Sequence, residues 1–201
     1  MNDTVKAAHK RVVVFISGGG SNMLALVKAT AETDYPAEIV AVISDKADAG
    51  GLAKASAFGI PALSFVRKDY DSKDAHEAAI LSALEKLSPD IICLAGYMRL
   101  LSATFINAYE GRIINIHPSL LPLFPGLHTH QRAIDAGMTE AGCTVHFVTE
   151  GMDEGPVILQ AKVQVLPGDT ADALAARVLG EEHRIYAEAL RLIADGKVRM
   201  E

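Results

Sequence analysis

Asn115-Ile116-His117 closes a short apolar run and is followed at once by Pro118. On a strand, side chains two apart point the same way. Asn115 and His117 would then face one side, with Ile116 packed on the other. An amide and an imidazole held together can donate hydrogen bonds to a developing oxyanion. The imidazole can also move a proton near neutral pH. Alone, a histidine at a sheet end is more often a satisfied structural group, so the pair needs a partner. Asp153 offers one. It lies in the loop Glu150–Gly155, flanked by Gly151 and Gly155, where a carboxylate could orient the histidine and favour its charged form. Glu154 competes on spacing alone, and an exposed acidic turn is the plainer reading of either.

A second chemical signal is Ser17-Gly18-Gly19-Gly20-Ser21-Asn22. Glycines between a strand and a helix allow a tight turn with exposed amides. The helix start then adds unpaired donors and partial positive charge, which together suit a phosphate. The bland alternative is a turn capped by Ser21 or Asn22. A dinucleotide pattern would need glycine at 23, where Met23 stands, and no Gly-Lys-Ser/Thr follows for a P-loop. A phosphomonoester on a small molecule fits better. No serine or cysteine nucleophile is evident, because Ser119 lacks a nucleophile elbow. His128 and His130 could start a metal site but lack a third ligand, so no metal is expected.

These residues must be positioned by a scaffold, and the pattern supplies one. Val12–Ile16 is a β-branched run of the kind buried on both faces of a parallel sheet. Strands are predicted at Ile39–Ser44, Pro61–Phe65, Asp90–Ala95 and Arg112–Ile116. Between them come helices at Asn22–Ala31, Ala49–Phe58, Lys73–Leu87 and Thr104–Tyr109. Repeated β-α units signal a doubly wound α/β sheet. After Ile116 the rhythm breaks, because His117–Pro125 holds three prolines and cannot be a regular helix. Gly142–Thr149 and Pro156–Val165 read as an antiparallel pair. A final helix spans Thr170–Ala194, with Asp169 or Thr170 as N-cap and Gly196 as its stop. Ligands on such sheets bind beyond the carboxyl ends of the strands, which selects Ser17–Asn22, Ala95–Leu101 and Asn115–His130.

Composition narrows the class. The chain has 201 residues, enough for one core without disulfide or metal staples. With 25 acidic against 19 basic residues, a broad nucleic-acid footprint is disfavoured. The apolar runs are too short to span a bilayer, and the polar start, Met1–Lys10, lacks a signal-peptide core. Residues 1–10 read as a tail and 11–201 as the domain. Cys93 and Cys143 are too few for a disulfide framework. The expectation is a cytoplasmic protein with no nucleic-acid or membrane partner.

Taken together, the motifs resemble one family. Asn115-Ile116-His117-Pro118-Ser119-Leu120-Leu121-Pro122 resembles the signature of folate-dependent formyltransferases. Pro125–His130, Ile16–Asn22, Leu94–Arg99, Val145–Thr149 and Gly155–Gln160 resemble its phosphoribosylglycinamide formyltransferase branch. The resemblance covers nearly everything from Arg11 to Met200. It implies the fold reached above: a single α/β domain with a mixed, mostly parallel sheet, a Rossmann-like first half and helices on both faces. It also implies formyl transfer from 10-formyltetrahydrofolate to the amine of glycinamide ribonucleotide in purine synthesis, without a metal. By the same resemblance Asn115, His117 and Asp153 are catalytic. Gly20, Ser21, Asn22 and Glu182 hold the ribonucleotide. Lys73, Met98, Arg99, Leu100, Leu101, Asn115, Thr149, Glu150, Gly151, Met152 and Asp153 meet the folate. A cis peptide is implied before Pro122.

Three positions depart from the pattern: Leu179 where a polar or basic group helps with phosphate, Lys73 for an arginine, and Gly19 for an asparagine. Rival readings remain open on sequence alone. A methionyl-tRNA formyltransferase would carry a further carboxyl-terminal domain, and a formyltetrahydrofolate deformylase an amino-terminal one. A sugar-nucleotide formyltransferase fits the length, but the Gly20-Ser21-Asn22 loop favours a ribose phosphate. A non-catalytic nucleotide-binding module would make the trio coincidence. A monomer and a homodimer both stay open.

Overall fold

The structure is a computed structural model describing residues 9–200. One seven-stranded sheet runs through it in the order β3-β2-β1-β4-β5-β6-β7. The strands are β1 (Lys10–Ile16), β2 (Ala37–Ser44), β3 (Ala62–Ser64), β4 (Ile91–Leu94), β5 (Ile113–His117), β6 (Glu140–Phe147) and β7 (Val157–Gln164). Neighbours are parallel from β3 through β5, while β5–β6 and β6–β7 are antiparallel. The helices are α1 (Ser21–Thr30), α2 (Gly50–Ala57), α3 (Lys73–Leu87), α4 (Ala103–Ala108), α5 (Thr129–Asp135) and α6 (Ala171–Ala194).

The β-branched run of β1 is central because it pairs on both sides, with β2 and with β4. Its residues alternate between two cores. Val12, Val14 and Ile16 pack with residues of α1, α2 and α6. Val13 and Phe15 pack with residues of α3 and α4 on the other face. Fully burying each such side chain contributes roughly 1.5–3 kcal/mol. Cys93 lies in the first of these cores, fully buried, and burial pushes its thiol up to about 12.

Two helices, α1 and α6, pack against each other on the first of these faces. The α1 helix begins without a side-chain cap, since Gly20 is the N-cap in left-handed conformation, φ 69°. Thus neither Ser21 nor Asn22 caps it, and Met23 is buried in the core where a dinucleotide site would need glycine. The α6 helix is capped by Thr170, whose side chain accepts from the Ala173 amide, and Gly196 lies just past its end at φ 72°. Its apolar stripe, Leu174, Val178, Ile185, Tyr186, Ala189 and Leu190, keeps helical spacing. The Tyr186 hydroxyl reaches the carbonyls of Leu94 (2.9 Å) and Ile114 (3.2 Å). That clamp fixes the helix beneath β4 and β5, and so holds Glu182 one turn before Tyr186.

Three sequence expectations change. Residues 1–8 of the expected tail lie outside the described residues, and Lys10 already belongs to β1. His117 is within β5. The α5 helix is absent from the sequence-based assignment: its seven residues are too few for a periodic signal. Its N-cap, His128, adopts φ 58°, where glycine is usual. Leu121–Pro122 is cis, as the resemblance implied.

Candidate active site

The strand order reverses between β1 and β4, and a cleft opens beyond the carboxyl ends of the strands beside that point. Its volume is about 510 Å³. Asn22 lines it from α1 and Glu182 from α6, Asn115 and His117 from β5, and Met98, Arg99, Leu100 and Asp153 from loops.

At the glycine loop the backbone is turned by its neighbours. The Gly18 carbonyl accepts from the Gly51 amide (3.0 Å), and the Gly19 carbonyl from Lys54 Nζ (2.7 Å). Carbonyls drawn to α2 leave the loop's amides free to face elsewhere. The first intrahelical bond runs from the Leu24 amide to the Gly20 carbonyl. The amides of Ser21, Asn22 and Met23 therefore have no intrahelical acceptor. A Cβ on Gly20 would stand 2.9 Å from Met23 Cε and 3.0 Å from Gly51 Cα. Next to this loop, Asn22 Nδ2 donates to Glu182 Oε2 at 2.6 Å across the α1–α6 contact. Glu182 is 8% exposed, and burial raises its carboxyl above the usual range against the lowering pull of Asn22 and His117.

Around β5 the antiparallel register does the positioning. Asn115 pairs with His146, and His117 with Thr144. His146 Nδ1 lies 2.8 Å from the Phe147 carbonyl and its Nε2 lies 3.2 Å from Asn115 Nδ2. A carbonyl can only accept, so Nδ1 carries the proton and Nε2 receives one from the Asn115 amide. Burial lowers the pKa of His146, outweighing the raising effect of Asp153, which suits this neutral form. One Asn115 N–H is thereby committed and the other remains available to a ligand.

His117 is held in the same manner. Its Nε2 donates to the Phe124 carbonyl at 3.1 Å, so its Nδ1 is the atom facing Asp153 Oδ2, 3.4 Å away. That carboxylate oxygen also accepts from the Gly126 amide at 2.9 Å. Asp153 Oδ1 lies 3.8 Å from His146 Nε2, so one aspartate faces both imidazoles. Phe124, His128 and Asp153 all sit at positive φ, between 53° and 58°. Such strain in non-glycine residues collects where structure is held for function.

Among the described residues, three buried polar atoms on the cleft have no protein partner: Asn22 Oδ1, Thr129 Oγ1 and His130 Nε2. Native interiors seldom leave such groups unpaired, and a polar ligand in the cleft would meet them. Burial, and then the nearby His117, lowers the pKa of His130. Among the described residues no group of three or more His, Cys, Asp or Glu is arranged to hold a metal ion. Nor is any of their helices long and apolar enough to cross a membrane.

The sequence-derived site is thus mostly gathered in one place. Asn22, Met98, Arg99, Leu100, Asn115, His117, Met152, Asp153 and Glu182 line the cleft. Gly20 and Ser21 lead into it, as the N-cap and first residue of α1. Thr149, Glu150 and Gly151 do not line it, and Leu101 packs against the core formed with α3 and α4. Lys73 is not on it either: at the start of α3 its Nζ faces Glu77 Oε1 at 3.8 Å. Sequence reasoning missed His146, although it lies in a motif that carries the resemblance. Only the register that sets it opposite Asn115 reveals its part.

A family model described as formyl transferase matches residues 10–190. The phosphoribosylglycinamide formyltransferase of Escherichia coli is 46% identical over 189 residues, covering 94% of this chain and 89% of that one. A crystal structure of phosphoribosylglycinamide formyltransferase from Brucella melitensis shares 68% identity at TM-score 0.91, covering 96% of this chain and all of its own. The trifunctional purine biosynthetic protein adenosine-3 of Bos taurus is 48% identical over 98% of this chain, which spans only 20% of that protein's length. A match across nearly the whole chain, at these identities, makes it a member of the formyl transferase family, within the phosphoribosylglycinamide formyltransferases.

Proposed function

We propose that the chain transfers the formyl group of 10-formyltetrahydrofolate to the amine of glycinamide ribonucleotide, a step of purine synthesis. The observation that carries this reading is one cleft lined both by Asn22, in the uncapped first turn of α1, and by the Asn115–His117–Asp153 trio. The reading is further supported by the names of the relatives.

The ribonucleotide phosphate meets the amides at the start of α1, and Glu182 accepts from a ribose hydroxyl beside Asn22. Met98, Arg99 and Leu100 line the folate side, with exposed Met98, Leu100 and Met152 offering apolar surface. Leu101, Lys73 and Thr149–Gly151 come into contact with folate only if their segments move.

The neutral amine adds to the formyl carbon, forming a C–N bond and a tetrahedral oxyanion. The free N–H of Asn115 and a proton on His117 Nδ1 stabilise that oxygen. Losing one donor of this kind costs about 2.7–4 kcal/mol of barrier. Collapse breaks the bond from carbon to the folate N10, and the proton lost by the amine passes to that nitrogen. Asp153 faces the His117 edge from which the proton is relayed, directly or through water. Holding both reactants in one cleft supplies much of the remaining acceleration.

The test is loss of 10-formyltetrahydrofolate with and without glycinamide ribonucleotide. Loss that requires the ribonucleotide is expected. Loss without it would replace transfer by deformylation. No loss from folded protein would leave a binding module.

A further inference from the structure

The glycine loop and the folate wall meet at a buried carboxylate that the transfer chemistry does not use. Asp45 comes directly after β2, and only 2% of its side chain is exposed. Its Oδ1 accepts from Ser17 Oγ at 2.6 Å, and its Oδ2 accepts from Arg99 Nε at 2.7 Å. Ser17 Oγ in turn accepts from the Met98 amide at 2.9 Å, while the Ser17 amide donates to the Gly96 carbonyl at 3.1 Å. Ser17 is anchored because it comes directly after β1. Gly96–Leu101 is not: it is irregular backbone after β4, with Gly96 at φ 76°. No ladder or helix fixes the shape of such a segment, so its side-chain ties must. A carboxylate this buried is costly unless fully partnered, and both of its partners lead to this wall.

We propose that Asp45 is a positioning residue for the folate half of the cleft. It holds Arg99 and, through Ser17, the Met98 amide, so that the Gly96–Leu100 wall is shaped before folate arrives. Preorganising a wall strengthens binding by removing the cost of ordering it. The inference rests on the reading that folate lies against Met98–Leu100.

Asp45→Asn tests it, because asparagine keeps an oxygen for Ser17 but turns an amide against the Arg99 donor. Binding of tetrahydrofolate and of glycinamide ribonucleotide is measured separately by calorimetry on the full chain. Tetrahydrofolate affinity should fall about tenfold (about 1.4 kcal/mol). Ribonucleotide affinity should stay within about twofold, and in an Arg99→Gln background the Asp45 change should add less than about twofold to the folate loss. Equal weakening of both ligands, additive effects, or unchanged folate binding would overturn the proposal. Wild-type protein that binds no tetrahydrofolate would overturn the functional reading, and the proposal with it. If Asp45→Asn does not fold, Ser17→Ala, which frees the Met98 amide, should give the same folate-selective loss. Its absence would count equally against the proposal.

Discussion

The α1 side and the β5 side of the cleft are built by opposite means. The α1 side relies on backbone: amides at the start of α1, in a loop turned by Gly51 and Lys54 bonds to its carbonyls, with the Asn22–Glu182 pair beside them. The β5 side is made of side chains, each fixed by another group: Asn115 by His146, His117 by Phe124, Asp153 by Gly126. On the α1 side a Cβ on Gly20 would meet Met23 and Gly51, and the backbone amides themselves do not titrate. A side-chain site depends on each partner and on which nitrogens carry protons.

The difference is tested most harshly at the trio. His117→Ala or Asp153→Ala should lower turnover by about 10²–10⁴, while circular dichroism and melting show a retained fold. Near-normal turnover in both variants would remove the catalytic assignment. Next in size is Gly20→Val. Its side chain meets Met23 and Gly51 in a left-handed conformation and costs charge-assisted bonds worth about 1.5–3 kcal/mol each. The KM for ribonucleotide should rise at least tenfold or so, with that for folate little changed. Equal rises in both would deny a phosphate role to the loop.

A smaller effect distinguishes the groups proposed as catalytic from the residues that hold them. His146→Phe removes the acceptor for Asn115 and should lower kcat by about fivefold, the scale of one hydrogen bond of about 1 kcal/mol. Both KM values should change little, and His146→Gln, with an acceptor oxygen, should recover part of the loss. A KM change without a kcat change would make His146 a binding residue instead.

The smallest effect is one of stability, and its sign is informative. Burial raises the folded carboxyl of Glu182, so the folded state binds a proton more tightly than the unfolded state. Its favourable contribution is present below the unfolded value and is lost as pH rises through the folded one. At neutral pH the charged Glu182 therefore destabilises the free protein. Glu182→Gln should raise the melting temperature near pH 7, with little change below pH about 4, while raising the ribonucleotide KM. A lower melting temperature at pH 7 would show that the carboxylate is better solvated than its burial implies.

How much is legible in the sequence depends on the range of the interactions. The β-α alternation, the Thr170 cap and the shared face of Asn115 and His117 depend on neighbours in the chain, and all are readable. The α5 helix is not, because a seven-residue helix entered through a left-handed histidine shows neither periodicity nor a start signal. Lys73 as a folate contact rests on resemblance alone. Its ion pair with Glu77, whose carboxylate also takes the Ser102 amide and hydroxyl, points it to the packing of α3 rather than the cleft.

By itself, then, the order of residues determined the element types, the glycine turn and the chemical repertoire, since these come from local sterics and side-chain period. Spacing left Asp153 and Glu154 equal, and tertiary structure decided that Asp153 faces the histidine. It also set His146 opposite Asn115, 31 residues away, and Glu182 against Asn22, 160 residues away. Those choices rest on strand register and on the packing of α6 beneath the sheet. Both are settled by burying the largest apolar area across the whole chain, which no short window of sequence contains.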